Sequence, residues 1–426
     1  MEKQWFNNYA DVATTNSRKT ALAIANAGYD AINTEQVILN SVKLENNILT
    51  VLGNSFDLTK FSKIKVVGFG KASCTAAQTL EKVLGNKINE GVVIGLHAVT
   101  CEYIQTYAGT HPRPTNANIE PGKKIFDIVD QSGADDLVIA IVSGGGSALL
   151  CYPESECDQS SYLYDNFIKK GKTTMEMNTV RKHLSLLKGG GLAKIAYPAT
   201  VIGLVFSDVP GDHFDDVASG PTYKDNTTIS DAQQIIDTEK LGTYELVETP
   251  KDDIYFEKVF NFVLVSNTTA VSAMAEKAKS MGLTTEIVST ELYDETNIAL
   301  GKIFDKQKTS GAQVVLAAGE PNLEVKHTGG SGGRNLYMAL QSVDMGLIQP
   351  GMVFLPLASD GMDNSDAAGA VVDMQTIDNL KTHTVDIKNC LDKDDVYPAF
   401  NASGDMLLTG ATGANVSDLM VLYTEK

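Results

Sequence analysis

The sequence lacks several features that would assign it to a familiar class. Its 426 residues contain no uninterrupted apolar run of about 18 residues, and the first residues form no apolar core of signal-peptide length. Its five cysteines form no CxxC pair, and its six histidines show neither HExxH nor H-x₃-H spacing. A zinc site or a redox motif is therefore not expected. We expect a soluble, cytoplasmic protein with reduced thiols and no membrane partner.

Positive charge is also scarce. Lys and Arg number 35 against 53 Asp and Glu, which gives a net charge of -18. A nucleic-acid surface needs clustered Lys and Arg to neutralise phosphates, so no nucleic-acid partner is expected. An anionic ligand would need locally concentrated cations, which gives weight to each basic residue beside a glycine-rich loop.

The apolar pattern that is present predicts an α/β protein of two or three domains. Continuous apolar runs alternate with helical patterns and are typical of strands buried on both faces of a largely parallel sheet. They cover residues 64–67, 91–96, 137–142, 201–206, 262–265, 314–317 and 353–357, and 406–408 and 419–423 resemble a terminal pair of strands. The polar stretch 223–255 places a domain boundary near Thr238, giving domains 1–238 and 239–426.

The segment 178–193, NTVRKHLSLLKGGGLA, predicts a helix with a basic face. Read at about 100° per residue, it places Asn178, Arg181, Ser185 and Lys188 on one stripe. Such a face suits a small polyanion, and a solvated helix edge is the alternative.

Two glycine-rich turns follow strand-like runs in the first half. In LVIAIVSGGGSALL the strand leads into a helix through Ser143, Gly144, Gly145, Gly146 and Ser147. An anion is favoured at such a junction, and a plain tight turn is the alternative.

In KVVGFGKAS the glycines resemble a weakened dinucleotide fingerprint, but the next strand ends in His97 rather than in an acidic residue. Lys71 could instead reach a phosphate, unless it is a surface lysine.

The second half of the chain contains another glycine-rich turn before a helix, in HTGGSGGRNLYMAL. Gly332 and Gly333 precede Arg334 and Asn335 at a helix start, where the planar guanidinium suits phosphate or carboxylate oxygens. We interpret this segment as functional, because several glycines before an arginine are a costly way to form a turn.

Acidic residues follow two further strands. Asp208 and Asp212 follow residues 201–206, and Asp360, Asp363 and Asp366 follow residues 353–357. These carboxylates could hold Mg²⁺ or accept a hydroxyl proton, but for Asp363 and Asp366 a turn or helix-cap role is favoured. For His111 and Arg113, in a proline-stiffened loop, substrate contact and a simple turn both stay open.

Together the motifs resemble the glycerate 2-kinase family with a MOFRL C-terminal domain, the class II glycerate kinases. The matching stretches occur in the family's order: VVGFGKAS, GTHPRPTNAN, SGGGSALL, NTVRKHLSLLKGGGLA, FSDVPGDHFDDVASGPT, GGSGGRNLYMAL, SDGMDNSDAAGAVVD and TGATGANVSDL. The chain departs from the family at Ala318 in AGE and at Ala411 and Ala414 in TGATGAN.

The resemblance implies a reaction and a domain arrangement. It implies transfer of the ATP γ-phosphoryl group to the 2-hydroxyl of D-glycerate, giving 2-phosphoglycerate, with Mg²⁺. It also implies a Rossmann-like N-terminal domain and a smaller C-terminal α/β domain, with the active site in the cleft between them. Lys71 and Arg334 match the family's active-site lysine and arginine.

Our hypothesis is therefore in-line phosphoryl transfer, in which Lys71 and Arg334 neutralise charge. The partners expected are D-glycerate and ATP, and a homodimer is left open. Asp208 or Asp360 would hold Mg²⁺ or orient the hydroxyl. The alternatives are an NAD-dependent hydroxypyruvate reductase, a kinase of another small 2-hydroxy acid and a non-catalytic anion-binding protein. The residues expected to bind the carboxylate or the phosphates are Ser143, Gly144, Gly145, Gly146, Ser147, Asn178, Arg181, Lys188, Gly332, Gly333 and Asn335.

Overall fold

A computed structural model describes residues 3–169, 174–211, 213–327 and 329–425, without the side chains of 168, 169, 174 and 175. It contains two compact units. The parallel-sheet unit is Thr34–Val265, and the mixed-sheet unit joins Met1–Asn33 to Ser266–Lys426. This division differs from the boundary near Thr238, because the strand-like run 262–265 completes the first sheet rather than starting the second.

The N-terminal segment forms helices α1 (Tyr9–Val12) and α2 (Asn16–Ala31). The Arg18 guanidinium is buried and forms salt bridges with Asp373 at 2.6 Å and with Asp405 at 2.8 Å. Charge pairs of this kind are costly to break once desolvated. They link the first helices to the C-terminal half of the chain, a long-range contact that local sequence patterns do not reveal.

The parallel-sheet unit is a Rossmann-like layer of strands and helices, with a small antiparallel sheet of its first three strands. Its elements are α3 (Thr34–Ser41), β1 (Val42–Glu45), β2 (Ile48–Val51), β3 (Asn54–Asp57), β4 (Lys63–Phe69), α4 (Ser73–Leu84), β5 (Glu90–Gly95), β6 (Ile104–Ala108), α5 (Asn116–Asp130), β7 (Asp136–Ser143), α6 (Gly146–Leu149), α7 (Glu154–Lys169), α8 (Thr174–Leu184), α9 (Gly191–Ala196), β8 (Thr200–Phe206), α10 (Ile229–Thr238) and β9 (Val259–Val265).

Six of these strands form one sheet in the order β6-β5-β4-β7-β8-β9, and every neighbouring pair is parallel. Every residue of β7 is buried, as its continuous apolar run predicts. The chain order of the strands reverses between β4 and β7. In open α/β sheets, ligands bind beyond the carboxyl ends of the strands at such a switch point.

The mixed-sheet unit continues with α11 to α16 and β10 to β15. These elements are α11 (Asn267–Ser280), β10 (Thr285–Ile287), α12 (Thr296–Ser310), β11 (Val314–Gly319), α13 (Arg334–Asp344), β12 (Met352–Ala358), β13 (Gly369–Ala370), α14 (Met374–Thr382), α15 (Ile387–Asp392), α16 (Tyr397–Ser403), β14 (Met406–Leu407) and β15 (Asp418–Thr424). Its sheet has the order β10-β11-β15-β12-β13-β14.

The pairing in this second sheet corrects one expectation. Both terminal segments are strands, but β14 pairs with β13, while β15 lies between β11 and β12 and runs antiparallel to both. The α/β class is confirmed for both units, with a purely parallel sheet in the first and a mixed sheet in the second. Among the helices within the described ranges, none has the length and apolar character needed to cross a membrane.

Candidate active site

The loops that follow β4 and β7 touch each other at the switch point. Gly70 has φ +124°, and a Cβ there would lie 2.7 Å from the Ser143 Cβ, so only glycine fits this approach. The Lys71 N–H donates to the Gly144 carbonyl at 2.8 Å, and the Ala72 N–H donates to Ser143 Oγ at 3.2 Å. The two loops are thus bonded together, and Lys71 is held beside the glycine run.

Three polar side chains surround Gly144 and Gly145. A Cβ at Gly144 would lie 2.6 Å from the Asp208 Cβ, and one at Gly145 would lie 3.1 Å from His111 Cδ2 and 3.2 Å from Lys71 Cγ. Lys71, His111 and Asp208 are half-buried. The structure therefore brings Lys71 and Asp208 together around the glycine loop, and it adds His111, whose role the sequence left open. Asp212 lies outside the described residues.

The two serines of the glycine loop have different environments. Ser143 is fully buried, and its hydroxyl accepts the Ala72 N–H. Ser147 is half-buried, and its Oγ lies 2.8 Å from the Oγ of Ser219. Ser219 and its neighbour Ala218 adopt left-handed backbone at φ +61° and φ +52°. Sequence reasoning missed Ser219, although its motif follows strand β8 at the same end of the sheet.

The predicted basic face on residues 178–188 does not form as a unit, because α8 ends at Leu184. Asn178 does contact the site, since its Oδ1 accepts the Ser219 hydroxyl at 3.1 Å. Lys188 lies beyond the helix and is fully buried, and its ammonium pairs with Glu156 and donates to the Leu150 carbonyl at 2.7 Å. We therefore correct the expectation that Lys188 binds substrate: its charge is used inside the fold.

Arg181 is buried, with 6% of its surface exposed. Its Nε has no hydrogen-bond partner among the described residues. Burial lowers the pKa of Arg181 to about 10, so its guanidinium stays charged at neutral pH. Arg181 is therefore a buried cation with an unused donor. Its predicted role as an anion contact stays a proposal.

In the mixed-sheet unit, Arg334 opens helix α13. Its Nε donates to Asp418 Oδ2 at 2.6 Å and its Nη2 donates to Glu320 Oε1 at 3.3 Å, while 27% of the side chain stays exposed. Burial alone would lower the pKa of Arg334, but the charges of Asp418 and Glu320 raise it above its ordinary value. The guanidinium is thus a permanent, oriented and partly accessible cation.

The N-terminus of α13 already holds a carboxylate. Asp363 accepts hydrogen bonds from the N–H groups of Gly333 at 3.2 Å, Asn335 at 3.0 Å and Leu336 at 2.7 Å. The Asn335 side chain donates to Asp363 at 3.2 Å and to Asp418 at 2.8 Å. The expectation that Gly333 and Asn335 bind phosphate is corrected, because these groups cap the helix with Asp363. Burial raises the pKa of Asp363 to about 6.

Gly332 precedes this cap in left-handed backbone, at φ +99°. A Cβ there would lie 2.7 Å from Val396 Cγ2, so the glycine is explained by close packing. Its predicted contact with phosphate stays a prediction.

Asp360 lies in the loop after β12, where its Oδ1 accepts the Met362 N–H at 3.0 Å. This loop packs on the loop that carries Ala414, and Thr412 links the two. The Thr412 hydroxyl donates to the Ser359 carbonyl at 2.7 Å and accepts the Ala414 N–H at 3.2 Å. The loop is therefore held by Thr412 where the chain departs from the family pattern.

Comparison with known proteins agrees with the motif pattern. Residues 20–249 match the domain of unknown function DUF4147, and residues 313–418 match the MOFRL family. A glycerate 2-kinase from Pyrococcus horikoshii is 31% identical, over 95% of this chain and 96% of that protein. A putative hydroxypyruvate reductase from Agrobacterium vitis is 36% identical, over 84% of this chain and 98% of that protein.

A solved structure is also similar along nearly the whole chain. The crystal structure of a glycerate kinase from Thermotoga maritima aligns with a TM-score of 0.81 and 31% identity, over 96% of this chain and 99% of that one. The resemblance inferred from the motifs is thereby confirmed. The chain belongs to the glycerate 2-kinase family, with a DUF4147 domain followed by a MOFRL domain.

Proposed function

We propose that this protein is an ATP-dependent kinase that phosphorylates the 2-hydroxyl of D-glycerate, giving 2-phosphoglycerate and ADP. Its relatives named glycerate 2-kinase support this proposal. Within the chain, one observation carries it: Lys71, His111 and Asp208 surround Gly144 and Gly145 at the switch point of the parallel sheet. A cation and a carboxylate beside a glycine-rich loop are groups that phosphoryl transfer uses.

In this mechanism the 2-hydroxyl oxygen attacks the γ-phosphorus as the bond to the ADP oxygen breaks. Charge spreads over the transferred oxygens, and fixed cations stabilise it at no cost of reorganisation. Lys71 supplies a point charge, and Arg334 supplies a planar guanidinium that stays charged. Asp208 or Asp360 orients the attacking hydroxyl or accepts its proton. Arg181 contacts the substrate carboxylate or a phosphate.

When bound, Mg²⁺ would neutralise part of the phosphate charge. Asp208 fits such a role, because its side chain lies against the glycine backbone of Gly144. Within the described ranges no group of three or more acidic, His or Cys side chains could hold a metal. Mg²⁺ commonly takes one or two protein carboxylates together with substrate phosphates and water, so Asp208 would be its ligand from the protein.

The turn at residues 68–73, which suggested the reductase alternative, gives it little support. A dinucleotide fingerprint needs free backbone N–H groups for the pyrophosphate. Here the four successive backbone amides already have acceptors. The N–H of Gly70 donates to the Ile94 carbonyl, and that of Lys71 donates to the Gly144 carbonyl. The N–H of Ala72 donates to Ser143 Oγ, and that of Ser73 donates to the Gly70 carbonyl. We expect no change in nicotinamide absorbance with hydroxypyruvate.

A coupled assay of ADP release tests the proposal. We expect turnover with D-glycerate to exceed that with L-glycerate, tartronate and glycolate. Lys71→Ala and Arg334→Ala should each lower kcat by about 10²- to 10³-fold, because each removes an oriented charge from the transition state. Lys82→Ala is the matched control, since Lys82 is 57% exposed and pairs only with the surface residue Glu35 among its described ion pairs. Near wild-type turnover in both folded active-site variants would refute their roles.

A further inference from the structure

Three buried or half-buried polar groups form a hydrogen-bonded chain behind the glycine loop. Ser147 Oγ lies 2.8 Å from Ser219 Oγ, and Ser219 donates to Asn178 Oδ1 at 3.1 Å. The Asn178 amide nitrogen in turn donates to the Asp216 carbonyl at 3.4 Å. Ser219 is fully buried and Asn178 is 3% exposed, whereas Ser147 is half-buried at the outer end of the chain.

The direction of this chain follows from its inner end. The Asp216 carbonyl can only accept a hydrogen bond, so it selects the NH₂ side of the Asn178 amide. The amide oxygen must then face Ser219, and it too can only accept. A hydroxyl has a single hydrogen, so Ser219 gives its hydrogen to Asn178. In the bond between the two serines, Ser147 is therefore the donor.

Ser147 consequently has no hydrogen left for a ligand. Its two lone pairs can only accept, and an oxygen that accepts suits a ligand hydroxyl but repels carboxylate and phosphate oxygens. We propose that Ser147 Oγ accepts a hydrogen bond from a hydroxyl of the hydroxy-acid substrate, and that Ser219 and Asn178 are positioning residues that fix this direction. This inference rests on the proposed function, and it replaces the expectation that Ser147 binds an anion.

The backbone around Ser219 agrees with a positioning role. Ala218 and Ser219 are consecutive non-glycine residues in left-handed backbone, a conformation that costs energy and is common at functional sites. The Ala218 Cβ would lie 2.5 Å from a Cβ at Gly146, so this segment packs directly on the glycine loop. Lys182 holds the same segment through a 3.1 Å ion pair with Asp216.

Binding of four acids that differ in their hydroxyls tests the proposal. Calorimetry with D-glycerate, D-lactate, 3-hydroxypropanoate and propanoate compares the wild type with Ser147→Ala in the presence of a non-hydrolysable ATP analogue. Loss of one neutral hydrogen bond should weaken the acids that carry the contacted hydroxyl by about 3- to 10-fold. Acids without that hydroxyl should bind the variant as they bind the wild type, and the affinity for the ATP analogue should not change.

Ser219→Gly tests the direction of the chain. Glycine tolerates the left-handed backbone but removes the acceptor for the Ser147 hydrogen, so we expect the wild-type preference for the hydroxyl-bearing acid to fall towards that of Ser147→Ala. Ala218→Gly is the control, because it changes the backbone in the same way and leaves the three hydrogen bonds; its preference should match the wild type.

Equal weakening of all four acids by Ser147→Ala would indicate a carboxylate contact and overturn the proposal. Unchanged binding of all four, or a loss confined to the ATP analogue, would overturn it as well. Measurements on the wild type distinguish failure of this inference from failure of the proposed function. If the wild type neither binds nor phosphorylates D-glycerate, both proposals are wrong. If the wild type phosphorylates D-glycerate but Ser147→Ala weakens all four acids equally, only this inference is wrong.

Discussion

Replacement of Gly144 by alanine should disable the site without unfolding the protein. A Cβ at Gly144 would lie 2.6 Å from the Asp208 Cβ, whereas ordinary contact begins at 3.4 Å. A rotamer change cannot move a Cβ, so the backbone of one loop must shift by about 0.8 Å. Misplacement of a positioned group by about 1 Å can lower a rate by about 10²-fold. We expect Gly144→Ala to lower kcat for ADP release by about that factor.

A control variant and a double variant test whether Gly144→Ala acts through Asp208. Gly301 lies inside helix α12, and a Cβ there would meet nothing within 4 Å, so Gly301→Ala should keep full activity and stabilise the helix by up to about 1 kcal/mol. If Gly144→Ala acts by displacing Asp208, it should cost little more in an Asp208→Ala background. Wild-type kcat in a folded Gly144→Ala protein, or full additivity with Asp208→Ala, would refute the reasoning.

Two further predictions concern stability. Lys188→Met should lower the free energy of unfolding by about 3–5 kcal/mol in chemical denaturation, because it leaves Glu156 as an unpaired charge in the core; a loss no larger than that of Lys82→Met would contradict the buried pair. For Asp363, the folded pKa of about 6 lies above the unfolded value, so the folded state binds more protons and the stabilisation from this group is lost as pH rises through about 6. The unfolding free energy of the wild type minus that of Asp363→Asn should therefore fall by about 1 kcal/mol between about pH 5 and pH 7, and a constant or rising difference would show that the pKa is not raised.

Sequence patterns predicted five of the six strands of the parallel sheet, because each of the five carries its own apolar run; β6 was missed, since only Ile104 among its five residues is buried. Strand β7 is buried along its whole length, so its apolar run needs no information from elsewhere in the chain. The same holds for the turns at Gly70 and Gly144, where glycine marks close contact of backbones. Those local signals placed Lys71 and Asp208 at the carboxyl edge of the sheet, where they lie around one loop.

Other expectations failed where the outcome depends on distant partners. Lys188 was assigned to a basic helix face, but the helix ends at Leu184 and Glu156 neutralises the lysine in the core. The helix start at Arg334 does attract an anion, but that anion is Asp363 of the same chain, in the helix-cap role that the sequence favoured for it. Helical periodicity and charge counts cannot distinguish an internal carboxylate from a ligand, since both satisfy the same N–H groups.

The N-terminal residues show the same limit. Arg18 belongs to an ordinary amphipathic helix by its pattern, yet its salt bridges join it to Asp373 and Asp405 in the C-terminal half. The left-handed backbone at Ser219 is likewise invisible to residue type, because serine rarely adopts it. Both features are set by tertiary packing.

Phosphorus NMR of the reaction mixture tests the proposed phosphoryl transfer most directly. With wild-type protein, ATP, Mg²⁺ and D-glycerate, we expect the ATP resonances to give way to those of ADP and of a phosphate ester on the 2-oxygen, and Lys71→Ala should suppress both under the same conditions. Formation of the 3-phosphate ester, or ADP release that is independent of D-glycerate, would contradict transfer to the 2-hydroxyl.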